Sequence, residues 1–154
     1  MGAQPGTIGR IATAVDLTRV VVDTNILFTA LLHHEARIRE VLLTDVAHRF
    51  FSPRFVMVEL FKHKERIAAA TQLAEDELLE CLNELLAHLT FVEEGAIPIG
   101  AWMEGRRLCA GTDPKDAPFV TLTLHLDGLL WTGDVALKQG LLAKGFNRDR
   151  FFAP

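Results

Sequence analysis

A chain of 154 residues, 49% hydrophobic and 23% charged, has the composition of an ordinary globular domain, long enough to bury about two-thirds of its unfolded surface without disulfides or a structural metal. Its net charge of −4 disfavours a protein that binds nucleic acid mainly through phosphate contacts, which is usually basic. It leaves room for a nuclease that gathers carboxylates around a metal and lets the metal meet the phosphate.

No apolar run is long enough to span a membrane before charge interrupts it. Residues 1–18 hold Gly, Pro, Thr and one Arg but no apolar stretch like a signal peptide, and are expected to form a flexible lead-in to a domain over residues 19–154. Cys81 and Cys109 belong to no Cys-x-x-Cys pair and sit beside leucines in expected helices. They are read as reduced, partly buried thiols of a cytoplasmic protein.

Arg19-Val-Val-Val-Asp23 is a β-branched run ending in an acid, and predicts a buried parallel strand. Asp23 or Thr24 can cap a helix beginning near Asn25. A second helix is expected from about Glu35 to Thr44, and His48–Phe51 is a short strand candidate. Ser52-Pro53 carries a helix-start signal, so a helix is predicted from there to about Thr71. Glu75-Asp-Glu77 places acids in the first turn of the next helix, whose stripe is Leu78, Leu82, Leu85 and Leu89.

Leu89–Glu93 is a strand candidate, followed by a turn-rich stretch from Gly95 to Gly100. Ala101 to Ala110 reads as a helix stopped by Gly111. Asp113-Pro-Lys-Asp116 precedes an apolar helix, Ala117 to Leu126, and Asp127-Gly128 turns the chain into a strand, Leu129–Thr132. Gly133-Asp134 caps a helix through Lys144, Gly145 stops it, and residues Asn147 to Phe152 are expected to add an edge strand. Alternating strands and helices with short connections predict an α/β domain with a mostly parallel sheet.

In such sheets, ligands bind outside the carboxyl ends of the strands. Asp23 and Asp134 follow two strands there, and Asp116 opens a helix entering from the same edge. Glu59 lies in a segment apolar on nearly every side, where an acid needs a partner: a nearby Arg or Lys, or a pocket holding a cation. Two like charges about 4 Å apart repel by roughly 1 kcal/mol in water and roughly 4 kcal/mol at an effective dielectric near 20. Four clustered carboxylates therefore either take up protons or hold a divalent cation, and oxygen-only ligands suit Mg²⁺ or Mn²⁺.

Four segments together resemble the PIN-domain family, including VapC-like and PilT-N-terminus-like ribonucleases. They are Val-Val-Val-Asp23-Thr-Asn25, Ser52-Pro53 leading to Glu59-Leu60, Asp113-Pro-Lys-Asp116-Ala-Pro-Phe119 and Leu-Trp-Thr132-Gly-Asp134. The resemblance covers residues 19 to 152. It implies a three-layer α/β/α fold and a Mg²⁺- or Mn²⁺-dependent endoribonuclease with Asp23, Glu59, Asp116 and Asp134 as catalytic, metal-holding acids. Asn25 and Thr132 would support them, and Asp113 is either a further acid of the site or a cap before Pro114. Expected partners are an RNA substrate, a second copy in a homodimer, and an antitoxin if the chain is the toxin of a type II toxin–antitoxin pair.

Other readings fit less well. A haloacid-dehalogenase-like phosphatase needs an acid where Asn25 stands, and a receiver-type signalling domain needs paired acids on the first strand. A non-catalytic metal-binding scaffold and a free-standing RNA-processing nuclease remain as alternatives. The helices around Phe61–Arg66 and Glu75–Leu89 form either ordinary core or a partner-binding clip. Arg37, Arg39, Lys62, Lys64, Arg106 and Arg107 are candidate phosphate contacts or solvated charges.

Overall fold

The structure, a computed structural model, describes residues 17–33 and 37–154. Residues 1–16 of the expected lead-in lie outside the described residues, as do His34 and Glu35, the latter the expected start of the second helix. Val20, Val21 and Val22 are all fully buried. Successive side chains on a strand face opposite ways, so such a run needs cover on both faces of its sheet. It belongs to β1 (Thr18–Val22), which pairs in parallel with β2 (His48–Pro53) on one edge and β4 (Leu129–Trp131) on the other. β3 (Leu89–Val92) extends the all-parallel sheet beyond β2, giving the order β3–β2–β1–β4.

Eight α-helices among the described residues flank this sheet in the expected three-layer α/β/α arrangement. They are α1 (Thr24–Leu32), α2 (Arg37–Thr44), α3 (Phe55–Lys62), α4 (Lys64–Ala70), α5 (Glu75–Ala87), α6 (Ile99–Leu108), α7 (Ala117–Leu126) and α8 (Val135–Ala143). α1 gathers α2, α3, α4 and α5 around it, while α7 lies over β1, β2 and β4 with α6 packed on its back. That placement explains why Phe119, Val120, Thr121, Leu122 and Thr123 are all buried: α7 has protein on nearly every side. The approach of α6 is close, since a Cβ added at Gly105 would stand 2.1 Å from Thr121 Oγ1.

Four expectations need correction. Ser52 and Pro53 do not start a helix. They continue β2, paired with Phe91 and Val92 of β3, and the Ser52 hydroxyl donates to the Val22 carbonyl at 2.8 Å. Sheet pairing here outweighs the local start signal. The long helix expected through Thr71 is two helices, broken at His63. α6 begins at Ile99 rather than Ala101, with Pro98 at its N-cap. The expected edge strand near the C-terminus is a 3₁₀ turn, Arg148–Arg150, and a single bridge from Phe151 to Leu130.

Cys81 and Cys109 are buried and unbridged. No helix among the described residues is long and apolar enough to cross a membrane. A groove of about 350 Å³ opens between α3, α4 and α5, lined by Leu60, Phe61, Ile67, Leu78, Leu79 and Leu82 among others.

Gly128 carries the chain from α7 into β4 after Asp127, the one described non-glycine residue with a positive φ (49°). A Cβ at Gly128 would stand 2.6 Å from the Arg19 carbonyl oxygen, which is backbone of β1 and cannot turn aside. Gly128→Ala should therefore destabilise by about 1–3 kcal/mol, lowering Tm by about 2–4 °C for each kcal/mol. Thermal unfolding followed by circular dichroism checks this, and an unchanged Tm would refute the close approach.

Candidate active site

A parallel sheet sends the carboxyl ends of all its strands to one edge. Asp23 follows β1 directly and is buried, with its backbone N–H donating to the Trp131 carbonyl at 3.0 Å. It occupies the N-cap position of α1, yet its side chain makes no capping hydrogen bond. Instead the Thr132 hydroxyl donates to Asp23 Oδ2 at 2.6 Å and accepts from the Asp134 N–H at 3.1 Å. One buried threonine thus links the acids that follow two neighbouring strands. Asp134 caps α8, its Oδ1 accepting from the Leu137 N–H at 3.0 Å.

Asp116 closes a 3₁₀ turn, Pro114–Asp116, and sits at the N-cap of α7. Asp113 caps that turn, its Oδ1 accepting from the Lys115 N–H at 3.0 Å. The capping role read for Asp113 is therefore present, and the same residue also lines the cleft described next. Glu59 is presented by α3 and is only 8% exposed. Its neighbour is neither Arg nor Lys: His63 Nε2 lies 3.5 Å from Glu59 Oε2, with the imidazole edge-on to Phe28.

Asp23, Glu59, Asp116 and Asp134 all line one cleft of about 220 Å³, together with Asn25, Asp113, Phe28 and Phe55. Thr132 is buried and supports the cleft through Asp23. A neighbouring hollow of about 380 Å³ shares Asp113, Asp116 and Asp134 with it. Three further lining residues, His63, Arg66 and Lys115, were not expected from the sequence. The spacing of Glu59, His63 and Arg66 by four and then three residues is the helical signal that could have found two of them.

None of the six basic residues expected to meet phosphate lines the cleft. Arg37 and Arg107 pair with Glu40 and Glu104, and the Arg39 guanidinium donates to the Ala30 carbonyl at 3.1 Å. Lys64 borders the apolar groove between α3, α4 and α5, and Lys62 and Arg106 lie outside the cleft.

The crowding changes the acids. Burial, then the charges of Asp23, Asp134 and Asp113, push the Asp116 carboxyl up to about 6. Burial raises Asp23 as well, and the Asp134 charge adds to it; the Thr132 hydroxyl and the N–H groups of Thr24 and Asn25 pull the other way. A set of oxygen donors that repel one another fits a hard divalent cation such as Mg²⁺ or Mn²⁺. As posed, no three His, Cys, Asp or Glu side chains of the described residues converge on one point. The carboxylates ring the cleft, so an ion held by several of them at once requires side chains to turn inward.

Comparison with known proteins bears on this site. A family profile described as the PIN domain matches residues 21–149. The fold is similar to the crystal structure of VapBC2 from Rickettsia felis bound to a DNA fragment from their promoter, with a TM-score of 0.59 and 16% sequence identity over 79% of this chain and 92% of that one. At that identity the likeness speaks for the fold alone. No curated protein matches the chain.

The raised Asp116 carboxyl has a consequence for stability. Its folded-state pKa lies above the ordinary 3.8, so the stabilisation from its bound proton is complete below that value and is lost as pH rises through about 6. Asp116→Asn should accordingly raise the Tm of metal-free protein at pH values above about 6 and lose that advantage near pH 4. Thermal melts in EDTA across this range check it. A variant less stable than the parent at neutral pH would contradict the repulsion.

Proposed function

The chain belongs to the PIN-domain family, and from that premise we propose that it is a divalent-metal-dependent endoribonuclease, hydrolysing phosphodiester bonds in RNA. The observation that carries this reading is the arrival of four carboxylates, from four separate segments of the chain, on one cleft. When bound, Mg²⁺ or Mn²⁺ would polarise the phosphate as a Lewis acid and make water a better nucleophile.

The chain's own residues divide the remaining work. Asp23, Asp116 and Asp134 hold the ion at the sheet edge. The Thr132 hydroxyl on Asp23 and the Leu137 N–H on Asp134 fix the orientation of these two carboxylates, which would hold the ion. Glu59, presented from α3 and steadied by His63, completes the donor set and orients the attacking water. Asn25, exposed at the N-terminal turn of α1, offers amide N–H groups to a phosphate oxygen. Attack on phosphorus with loss of the 3′-oxygen leaves 5′-phosphate and 3′-hydroxyl ends.

A protein partner belongs to the same reading. Phe61 and Leu79 border the groove between α3, α4 and α5 and are 64% and 55% exposed, an apolar surface of the kind a partner covers. The fold is similar to that of a chain in a VapBC2 complex, which supports the reading of a toxin whose partner is an antitoxin; a homodimer is proposed with it.

Cleavage of a labelled single-stranded RNA with Mn²⁺ tests the proposal. Asp23→Asn should lower the rate by at least about a hundredfold, and EDTA should abolish cleavage. Full activity in either case would reject metal-dependent cleavage. Mn²⁺ binding with no cleavage of structured or single-stranded RNA would leave the scaffold reading instead.

A further inference from the structure

We propose that Arg66 and Lys115 are phosphate-positioning residues of this cleft, each binding a backbone phosphate of the substrate near the bond to be cut; the inference rests on the nuclease reading above.

The chain carries −4 overall, and the cleft itself is ringed by carboxylates. A polynucleotide approaching such a surface is repelled along most of its length, and a metal at the acids can offset that only at the phosphate it touches. The neighbouring phosphates need cations of their own. Two stand in the cleft wall, one from each of two unconnected segments: Arg66 on α4, and Lys115 in the 3₁₀ turn before α7.

Their lack of partners is the telling observation. Both side chains are exposed, both border a cleft rich in acids, and neither makes an ion pair or a side-chain hydrogen bond with any described residue. The other arginines named for phosphate binding are occupied, Arg37 and Arg107 by carboxylates and Arg39 by a carbonyl. A cation that borders several carboxylates and pairs with none keeps its donors for a ligand.

Chemistry distinguishes the two. The planar guanidinium of Arg66 can grip two phosphate oxygens at once, whereas the Lys115 ammonium is a compact point charge. The Lys115 backbone N–H is already held by Asp113, which ties the position of the lysine to the turn that also presents Asp116. Arg66 stands just beyond the break at His63 and lines the cleft with Glu59 and His63.

The test is the salt dependence of cleavage. Wild type, Arg66→Gln, Lys115→Gln and the control Arg106→Gln are assayed on one short single-stranded RNA with saturating Mn²⁺ over a KCl series. Each cleft variant should flatten the slope of log(kcat/KM) against log[salt] by about 0.7, the value for one phosphate contact on a single strand. That slope corresponds to about a fivefold loss at 0.1 M salt relative to 1 M. The loss should fall on KM rather than kcat, with calorimetric Mn²⁺ affinity unchanged. Arg106→Gln should keep the wild-type slope. Wild-type slopes and KM values in both cleft variants would overturn the proposal, and so would losses traced to weakened Mn²⁺ binding. Failure of the wild type itself to cleave any RNA would instead overturn the nuclease reading and this proposal with it.

Discussion

Carboxylates brought together at the end of a sheet repel one another, and the rest of the fold has to hold them there. A pair of like charges about 4 Å apart costs about 4 kcal/mol at an effective dielectric near 20, against about 1 kcal/mol in water. Against the roughly 5–15 kcal/mol by which a domain is stable, the mutual repulsion that helps to raise Asp116 and Asp23 is a cost the fold has to offset. The compensation is visible in β1, paired on both edges and buried on both faces over Val20, Val21 and Val22, which places Asp23 at the carboxyl end of that buried run. The hydroxyls of Thr132 and Ser52 complete the anchoring, the first on the Asp23 side chain and the second on the Val22 carbonyl. The acids are thus a load carried by the core, as a proposed active site of this kind would be.

The remaining acids reach the cleft by separate routes. Asp116 depends on the seating of α7, which α6 fixes through the Gly105–Thr121 approach. Thr121 Oγ1, facing Gly105, is buried with no hydrogen-bond partner among the described residues. Glu59 depends on α3 ending at His63, the residue whose imidazole faces its carboxylate. After the break the chain runs into α4, and Arg66 comes to border the same cleft. One turn of backbone therefore positions an acid, an imidazole and a guanidinium.

Much of this was readable in the residues because the signals were both local and strong. Three consecutive valines ending in Asp23 specify a buried strand, and a helix from Ala117 to Leu126 follows from an apolar run bounded by Asp113-Pro114 and by Asp127-Gly128. The three acids near the sheet edge then follow from the rule that parallel strands end together. What escaped was decided by tertiary contact. Ser52-Pro53 carries a helix-start signal, but pairing with β3 and the bond to Val22 keep both residues in a strand. Nothing between Pro53 and Thr71 has the Gly or Pro that announces a helix break, so the turn at His63 was hidden. The last segment, Asn147 to Phe152, has the apolar residues of a strand, yet only Phe151 bridges to β4.

A cleft of mutually repelling acids should respond to a divalent cation that relieves them. A carbon-detected NMR titration of the Asp116 carboxyl, with and without Mg²⁺, measures this at the atom concerned. The account predicts a midpoint near 6 in the metal-free protein and its displacement to lower pH when Mg²⁺ is present. A carboxyl that titrates near its ordinary 3.8 and does not respond to Mg²⁺ would contradict it.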